Sequence, residues 1–105
     1  MNLKQLALKM AVWFYLHPHI TRKQDLPAYI YDRIKDMRCR CPACENFKCE
    51  YCPLFSDQGV ETCMFFNWFN ANTEAGRTEQ MGGIIQRLMS WDYYDERQKQ
   101  NREAD

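Results

Sequence analysis

The side chains with the most distinctive chemistry in this chain are its six cysteines. Five lie within fourteen residues and one follows farther along, at Cys39, Cys41, Cys44, Cys49, Cys52 and Cys63. Two C-x-x-C pairs occur among them, and this spacing lets both sulfurs of a pair bind one tetrahedral metal ion. The sequence therefore predicts a bound metal ion in the middle of the chain.

The spacing alone leaves two questions open, namely which metal is bound and which four cysteines bind it. The two pairs together supply the four thiolates of a closed zinc site, although Cys63 can replace a member of either pair. Cys39 is the weakest candidate, because an extended backbone would point it away from Cys41. An iron-sulfur cluster is the alternative to zinc, since Cys52-Pro53 is similar to ferredoxin segments, but their pattern of x2 and x3 spacers is missing.

Disulfide bonds are another use for six cysteines. Cysteines two or three residues apart rarely reach disulfide geometry, so each of the clustered five would need a distant partner, and Cys63 alone is distant. The longest apolar run, residues 10–16, is well short of the roughly 20 residues that span a bilayer, and no secretory cleavage site follows it. These features predict no membrane contact and a reducing, cytoplasmic location, where metal binding is favoured.

Arrangements typical of catalysis are sparse. The chain has no Ser, His and Asp combination with a known spacing and no glycine-rich phosphate loop. Glu45 and Glu50 lie near the cysteines, but they are more simply solvated loop residues than general bases. His17 and His19 flank Pro18 in a predicted surface turn and could in principle join a metal site. The sequence predicts a protein that is not an enzyme.

Basic side chains gather near the cysteines, although the 14 Lys and Arg residues are balanced by 14 Asp and Glu residues. This balance gives no overall field that favours nucleic acid. Local cations can complement the carbonyl end of a helix and the charge of a thiolate site. The alternative is that they bind phosphate or an acidic partner, as in a nucleic-acid-binding zinc module. The candidate residues are Arg33, Lys35, Arg38, Arg40 and Lys48.

Helices on both sides must position the cysteine segment. Apolar residues recur at helical spacing after Asn2, which predicts a helix that starts at this N-cap and ends before Pro18. A second helix is predicted over residues 25–37, with Pro27 in its first turn.

The segment after Cys63 is aromatic. Phe65, Trp68 and Phe69 fit one helical face and are predicted to pack over the sulfurs. The last helix is predicted to start near Thr78 and to reach Trp91, and its two glycines require close approach of another helix. The predicted fold is mainly α, a small single domain over residues 1–94 built around a cysteine-rich zinc-binding loop. Residues 95–105 are predicted to be a polar tail, in the form of a frayed or solvated helix.

The order of these motifs resembles a group of small proteins encoded by bacteriophages and prophages. The chain has C-x-x-C, then C-x-x-C-P-L at residues 49–54, a lone Cys63, Trp68, and a helix from Arg77 to Trp91. The resemblance covers residues 31–94, and this chain departs from it in Cys39 and in the Gly82-Gly83 pair. It implies a viral protein in the bacterial cytoplasm, with metal ligands drawn from Cys41, Cys44, Cys49, Cys52 and Cys63.

Such proteins commonly act by binding a host protein, and the apolar content of this chain agrees with that activity. Three short helices would not hide all of its large apolar side chains. We therefore expect a protein that inhibits or redirects a bacterial host protein, such as a defence nuclease or a transcription factor. A homodimer would hide the same residues, and an iron-sulfur redox or sensing protein is a further alternative. The residues concerned are Trp13, Phe14, Tyr15, Phe65, Phe66, Trp68 and Phe69.

Overall fold

The computed structural model describes residues 1–37, 41–56 and 62–104, with the backbone alone at Cys49, Ser56, Thr62 and 101–104. The described chain is mainly helical, as the sequence predicts. Its elements are α1 (Leu3–Leu16), a 3₁₀ turn (Lys23–Asp25), α2 (Ala28–Ile34), α3 (Ala43–Asn46), a second 3₁₀ turn (Cys49–Tyr51), β1 (Phe55–Ser56), β2 (Thr62–Cys63), α4 (Met64–Phe69), α5 (Glu74–Met89) and α6 (Trp91–Ala104).

Helix α1 begins and ends where the sequence predicts. The Asn2 side chain accepts a hydrogen bond from the Gln5 backbone N–H at 2.8 Å, and the Gln5 side chain accepts one from the Asn2 N–H at 3.2 Å. This reciprocal pair is a capping box, which satisfies two N–H groups that a helix start otherwise leaves unpaired. The helix stops at Leu16, two residues before Pro18.

The second predicted helix is shorter than expected. Pro27 is the N-cap of α2 and not a member of its first turn. Leu26 has extended backbone angles of φ −73° and ψ 156°, the conformation that a following proline favours because its ring clashes with a helical predecessor. Residues 23–25 form a separate 3₁₀ turn for this reason.

The core forms where α1 and α4 pack against α5. The start of α5 is four residues earlier than predicted, because Thr73 caps it by accepting from the Gly76 N–H at 2.9 Å. Its two glycines lie at close helix contacts. A Cβ at Gly82 would lie 3.6 Å from the Tyr15 ring of α1, and one at Gly83 would lie 3.3 Å from the end of Met64 in α4. The expected close approach is therefore confirmed at Gly83, whereas the contact at Gly82 is an ordinary van der Waals distance.

The C-terminal part of the chain is helical, as the sequence predicts, but it is not wholly solvated. Trp91 opens α6 instead of closing α5, since Ser90 ends α5. Gln98, in the polar stretch, is buried at 2 % exposure. Within the described residues, no helix is both long and apolar enough to cross a bilayer.

Candidate metal centre

Two turns of the same type present the buried cysteines of the middle segment. In the first, Cys41 precedes Pro42; its Sγ accepts from the Ala43 N–H at 3.3 Å, and its carbonyl accepts from the Cys44 N–H at 3.1 Å. Proline sets the backbone angle that starts a turn, so the next amides point back at the cysteine. The turn leads directly into α3.

The second turn repeats this pattern at Cys52 and Pro53. The Leu54 N–H donates to the Cys52 Sγ at 3.5 Å, and the Phe55 N–H donates to the Cys52 carbonyl at 3.0 Å. We call these two segments the Cys-Pro turns. A backbone N–H aimed at sulfur favours the thiolate, the form that binds metal. The sequence signal for both turns is the repeated Cys-Pro dipeptide, at residues 41–42 and 52–53.

A short antiparallel pairing adds Cys63 to this group. Phe55 of β1 pairs with Cys63 of β2, and the Met64 N–H donates to the Leu54 carbonyl at 2.8 Å. Cys63 is therefore held beside the second Cys-Pro turn and is also the N-cap of α4. This strand pair connects the cysteine segment to the helical core.

The electrostatics of Cys41 reflect a cluster of thiols. Burial raises the pKa of Cys41 well above its usual range, the Ala43 N–H opposes this rise, and the charges of Cys63, Cys44 and Cys52 add to it. All three neighbours therefore lie near enough to interact with Cys41. Several thiolates packed together in a low-dielectric site repel one another, and a bound cation would reverse this cost.

The four cysteines do not stand at coordination geometry. Among the side chains that the structure describes, no three His, Cys, Asp or Glu residues form a group that could hold a metal ion. Cys39 and the Cys49 side chain lie outside the described residues. Cys41, Cys44, Cys52 and Cys63 lie in one neighbourhood, and thiol donors are of the kind that zinc prefers. The ligand role of all five predicted cysteines stays a prediction.

Helix α6 holds the cysteine segment from the other side through one buried side chain. The Gln98 amide oxygen accepts from the Lys48 N–H at 2.8 Å, and its amide nitrogen donates to the Asn46 carbonyl at 2.9 Å. The Asn46 side chain donates to Asp95 at 3.0 Å. These bonds fix the backbone between the two C-x-x-C pairs. No hydrophobic pattern predicts them, because the residues that form them are polar.

Aromatic residues near the centre differ from the predicted set. Phe65 and Trp68 are buried, but Phe69 is 54 % exposed, so the three do not share one buried face. The ring centroids of Phe14 and Trp68 are 4.7 Å apart, which places Trp68 against α1. Beside the cysteine segment, Phe47 packs edge-on against Trp91 at 4.8 Å.

The structure describes three of the five predicted basic residues. Arg33 is exposed on α2, and Lys35 forms a weak surface ion pair with Asp32 at 4.0 Å. The Lys48 side chain is exposed, whereas Arg38 and Arg40 lie outside the described residues.

Two arginines that sequence analysis missed flank the cysteine segment. Arg87 of α5 and Arg97 of α6 line a cleft of about 360 Å³ that also includes Cys52. Arg87 donates to the Tyr94 hydroxyl at 3.2 Å. Glu50 lines the same cleft, so the cleft contains both signs of charge beside Cys52. Because α5 and α6 are separate helices, no sequence period connects the two residues.

The histidine turn is engaged with α1. His17 Nδ1 lies 2.9 Å from the Trp13 carbonyl oxygen, and the His17 ring stacks on Trp13 at 4.2 Å between centroids. The Nδ1 nitrogen of His17 is therefore engaged in a hydrogen bond with the backbone of α1. Its position agrees with the predicted surface turn.

Comparisons of the chain with protein-family models, with curated proteins and with solved structures yield no match. What the protein does therefore has to follow from its own residues and geometry.

Proposed function

We propose that this is a non-enzymatic, phage-encoded protein that binds a bacterial host protein and inhibits or redirects it. The cysteine centre would hold a structural zinc ion, and the partner would bind at an apolar surface on α1 and α2. We call this the α1 surface; it consists of Leu8, Val12, Trp13, Leu16 and Tyr29. The observation that carries the proposal is that these apolar residues line one groove, with Val12, Leu16 and Tyr29 exposed and the other two half-buried.

The α1 surface is a continuous stripe. Leu8, Val12 and Leu16 follow one another at intervals of four residues, so they lie on one face of the helix. Val12 is 41 % exposed, Leu16 64 % and Tyr29 55 %. With Trp13 they line a groove of about 250 Å³. Burying one such side chain in a partner contributes about 1.5–3 kcal/mol.

Trp13 forms part of the wall of the groove. Its Nε1 is buried, and no described residue accepts its hydrogen bond. A buried donor without an acceptor costs about 1–3 kcal/mol, and tryptophan is the residue type most often dominant in interfaces. Lys9 adds a cation beside the groove, with its Nζ 5.8 Å from the Tyr29 ring centroid. We therefore expect the partner to present an apolar segment.

The Cys-Pro turns and the strand pair support the metal component of the proposal. Buried sulfurs that accept backbone N–H bonds are typical of structural thiolate sites, which stabilise a fold and keep no open position for a substrate. Zinc would therefore keep the cysteine segment folded without taking part in a reaction. The nearby arginines would offset the negative charge of four thiolates.

The partner proposal is tested with two matched substitutions of exposed apolar residues. Tagged wild-type protein, Leu16→Lys and Met89→Lys are used to capture proteins from bacterial lysate, since Met89 is 67 % exposed on α5 and lies outside the α1 surface. We expect one host protein to be captured by wild type and by Met89→Lys, and to bind each of them directly when it is purified. The same host protein should not bind Leu16→Lys. Equal binding by the two variants would contradict the proposed surface. A dimer of this chain that Leu16→Lys dissociates, measured by light scattering, would replace the host partner with a second copy.

The metal proposal has its own measurement. We expect elemental analysis of anaerobically purified protein to give one zinc per chain, and Cys52→Ser to lose it while Cys39→Ser retains it. A coloured protein with iron and sulfide would instead establish an iron-sulfur cluster. Retention of zinc by Cys52→Ser would show that the second Cys-Pro turn is not part of the site.

A further inference from the structure

We propose a second metal site, for a divalent late transition-metal ion such as Ni²⁺ or Cu²⁺, held by His17 and His19 in the turn that follows α1. The ring centroids of the two histidines are 6.1 Å apart. His17 is half-buried and His19 is exposed. Neutral imidazole is a suitable ligand for these ions. The site uses none of the cysteines and does not depend on the proposed function.

The backbone of the histidine turn is held by two hydrogen bonds. The Ile20 N–H donates to the His17 carbonyl at 2.9 Å, which closes a β-turn with Pro18 at the position that proline favours. From α5, Arg77 donates through Nε to the Pro18 carbonyl at 2.7 Å. The turn is therefore ordered before a ligand binds, and an ordered site loses less entropy on binding.

One hydrogen bond determines which nitrogen of His17 is available to a metal ion. His17 Nδ1 lies 2.9 Å from the Trp13 carbonyl oxygen. Because a carbonyl oxygen only accepts, Nδ1 carries the proton, and the lone pair of the neutral ring is on Nε2. Metal-binding histidines almost always donate their other ring N–H to a carbonyl, a carboxylate or water in this way. Stacking of the ring on Trp13, at 4.2 Å between centroids, holds its orientation.

The separation of the two rings suits one shared ion after a small movement. Two imidazoles that bind an ion at neighbouring positions, each at about 2 Å, have centroids about 4.5–5 Å apart. Rotation of the exposed His19 side chain can bring its ring the required distance of about 1 Å closer. Water would complete the coordination, since no third His, Cys, Asp or Glu side chain that the structure describes joins the pair.

The surroundings of the turn select the kind of ion. Arg77 lies against the turn, and its positive charge disfavours any cation. Binding therefore requires strong bonds to imidazole, which Ni²⁺ and Cu²⁺ form and of which Cu²⁺ forms the strongest. Mg²⁺ and Ca²⁺ prefer oxygen ligands. We expect the site to bind Cu²⁺ more tightly than Ni²⁺ and to leave Mg²⁺ and Ca²⁺ in solution.

The indole signals of the protein provide a direct test. The chain has three tryptophans, so ¹⁵N-labelled protein gives three indole N–H signals, and Trp13→Phe identifies the one that stacks on His17. Ni²⁺ is the probe, because it is paramagnetic and does not oxidise thiols as Cu²⁺ does. We expect Ni²⁺ to broaden the Trp13 signal in a saturable manner, and equal concentrations of Mg²⁺ to leave it sharp. A Trp13 signal that stays sharp up to about 1 mM Ni²⁺ would overturn the proposal.

Two substitutions at exposed positions separate a two-histidine site from binding elsewhere in the chain. His19→Ala removes one ligand without disturbing the core, and we expect it to weaken the Ni²⁺ binding reported by Trp13 about tenfold or more. Gln24 is exposed in the 3₁₀ turn that follows, so Gln24→Ala keeps both histidines and should leave the affinity unchanged. Equal affinity of wild type and His19→Ala would overturn the assignment.

The ring nitrogens of His17 give a second, independent measurement. In metal-free protein above neutral pH, their ¹⁵N chemical shifts should show the proton on Nδ1, and Ni²⁺ should broaden the signal of Nε2 first. A proton on Nε2 would overturn the assigned ligand atom. Trp91, whose ring packs on Phe47 in the cysteine segment, reports Ni²⁺ binding there separately. These measurements need neither a host partner nor a metal at the cysteines, so their result is independent of the proposed function.

Discussion

Gln98 allows a quantitative test of how the cysteine segment is held in place. Replacement by alanine removes two hydrogen bonds and leaves the Lys48 N–H and the Asn46 carbonyl without this partner. Each lost bond costs about 1 kcal/mol net, and each backbone group left buried and unpaired costs up to about 1–3 kcal/mol. Water will reach part of this site, so we expect Gln98→Ala to lower the free energy of unfolding by about 2–4 kcal/mol.

The matched control lies on the same helix. Gln100 is exposed, so Gln100→Ala should change the free energy of unfolding by less than about 0.5 kcal/mol. Urea unfolding of the metal-loaded proteins, followed by circular dichroism, measures the free energy of unfolding of both variants.

In a domain of this size the stability lost in Gln98→Ala corresponds to a decrease in Tm of about 10–25 °C. Hydrogen exchange adds a local measurement, because the Lys48 amide should exchange faster in Gln98→Ala alone.

Gln98→Glu distinguishes the hydrogen bonds from the packing of the side chain. The carboxylate can still accept from Lys48, but its second oxygen faces the Asn46 carbonyl, to which glutamine donates. Burial and this carbonyl raise the pKa of the new carboxyl above its ordinary value of about 4.3. A folded-state pKa above the unfolded one gives stability that is present at low pH and is lost as pH rises through the folded pKa.

The difference in stability between wild type and Gln98→Glu should therefore increase from pH 5 to pH 7.5. Metal release at low pH lowers the free energy of unfolding of both proteins, so its effect largely cancels in this difference. A constant difference, or a loss of less than about 0.5 kcal/mol in Gln98→Ala, would refute the role assigned to Gln98.

Three further measurements test the core, the cysteine cluster and the helix contacts. Phe65→Ala should lower the free energy of unfolding by about 3–5 kcal/mol, because it removes a buried ring. Phe66 is 43 % exposed, so Phe66→Ala should lower it by less than about 1 kcal/mol. Equal losses for the two variants in urea unfolding would contradict the assigned burial. Burial raises the pKa of Cys41 in the folded protein, so its contribution to stability is lost as pH rises. The free energy of unfolding of the metal-free protein should therefore decrease above about pH 8.5. Over the same pH range, the free energy of unfolding of Cys41→Ala should decrease less. Gly82→Ala meets ordinary contact distance at Tyr15, so it should raise the free energy of unfolding by about 0.5–1 kcal/mol; a decrease would mean that α1 and α5 pack more closely than described.

The helices show which predictions a sequence supports. The limits of α1 were predicted correctly, because a capping box and a proline act within a few residues. The start of α5 was predicted too late, since its first turn is polar and carries no apolar period. Helix α2 was predicted to start too early, because Pro27 was assigned to the first turn instead of the N-cap, and it also ends at Ile34, three residues before the predicted end.

Residue types and their spacing along the chain alone determined the local turns of this protein. Cys-Pro steps and C-x-x-C pairs set turns whose hydrogen bonds span two or three residues, so neighbouring residues are sufficient to specify them. The amphipathic period likewise determined that the chain is mainly helical.

The tertiary structure decided which distant groups meet. Strand pairing brings Cys63 to the Cys-Pro turns, and packing on α1 buries Trp68 beside a cavity while Phe69 stays exposed. Gln98 binds backbone about fifty residues away in the chain. Such contacts depend on how whole helices pack, and packing is a property of complete surfaces that no short spacing in the sequence encodes.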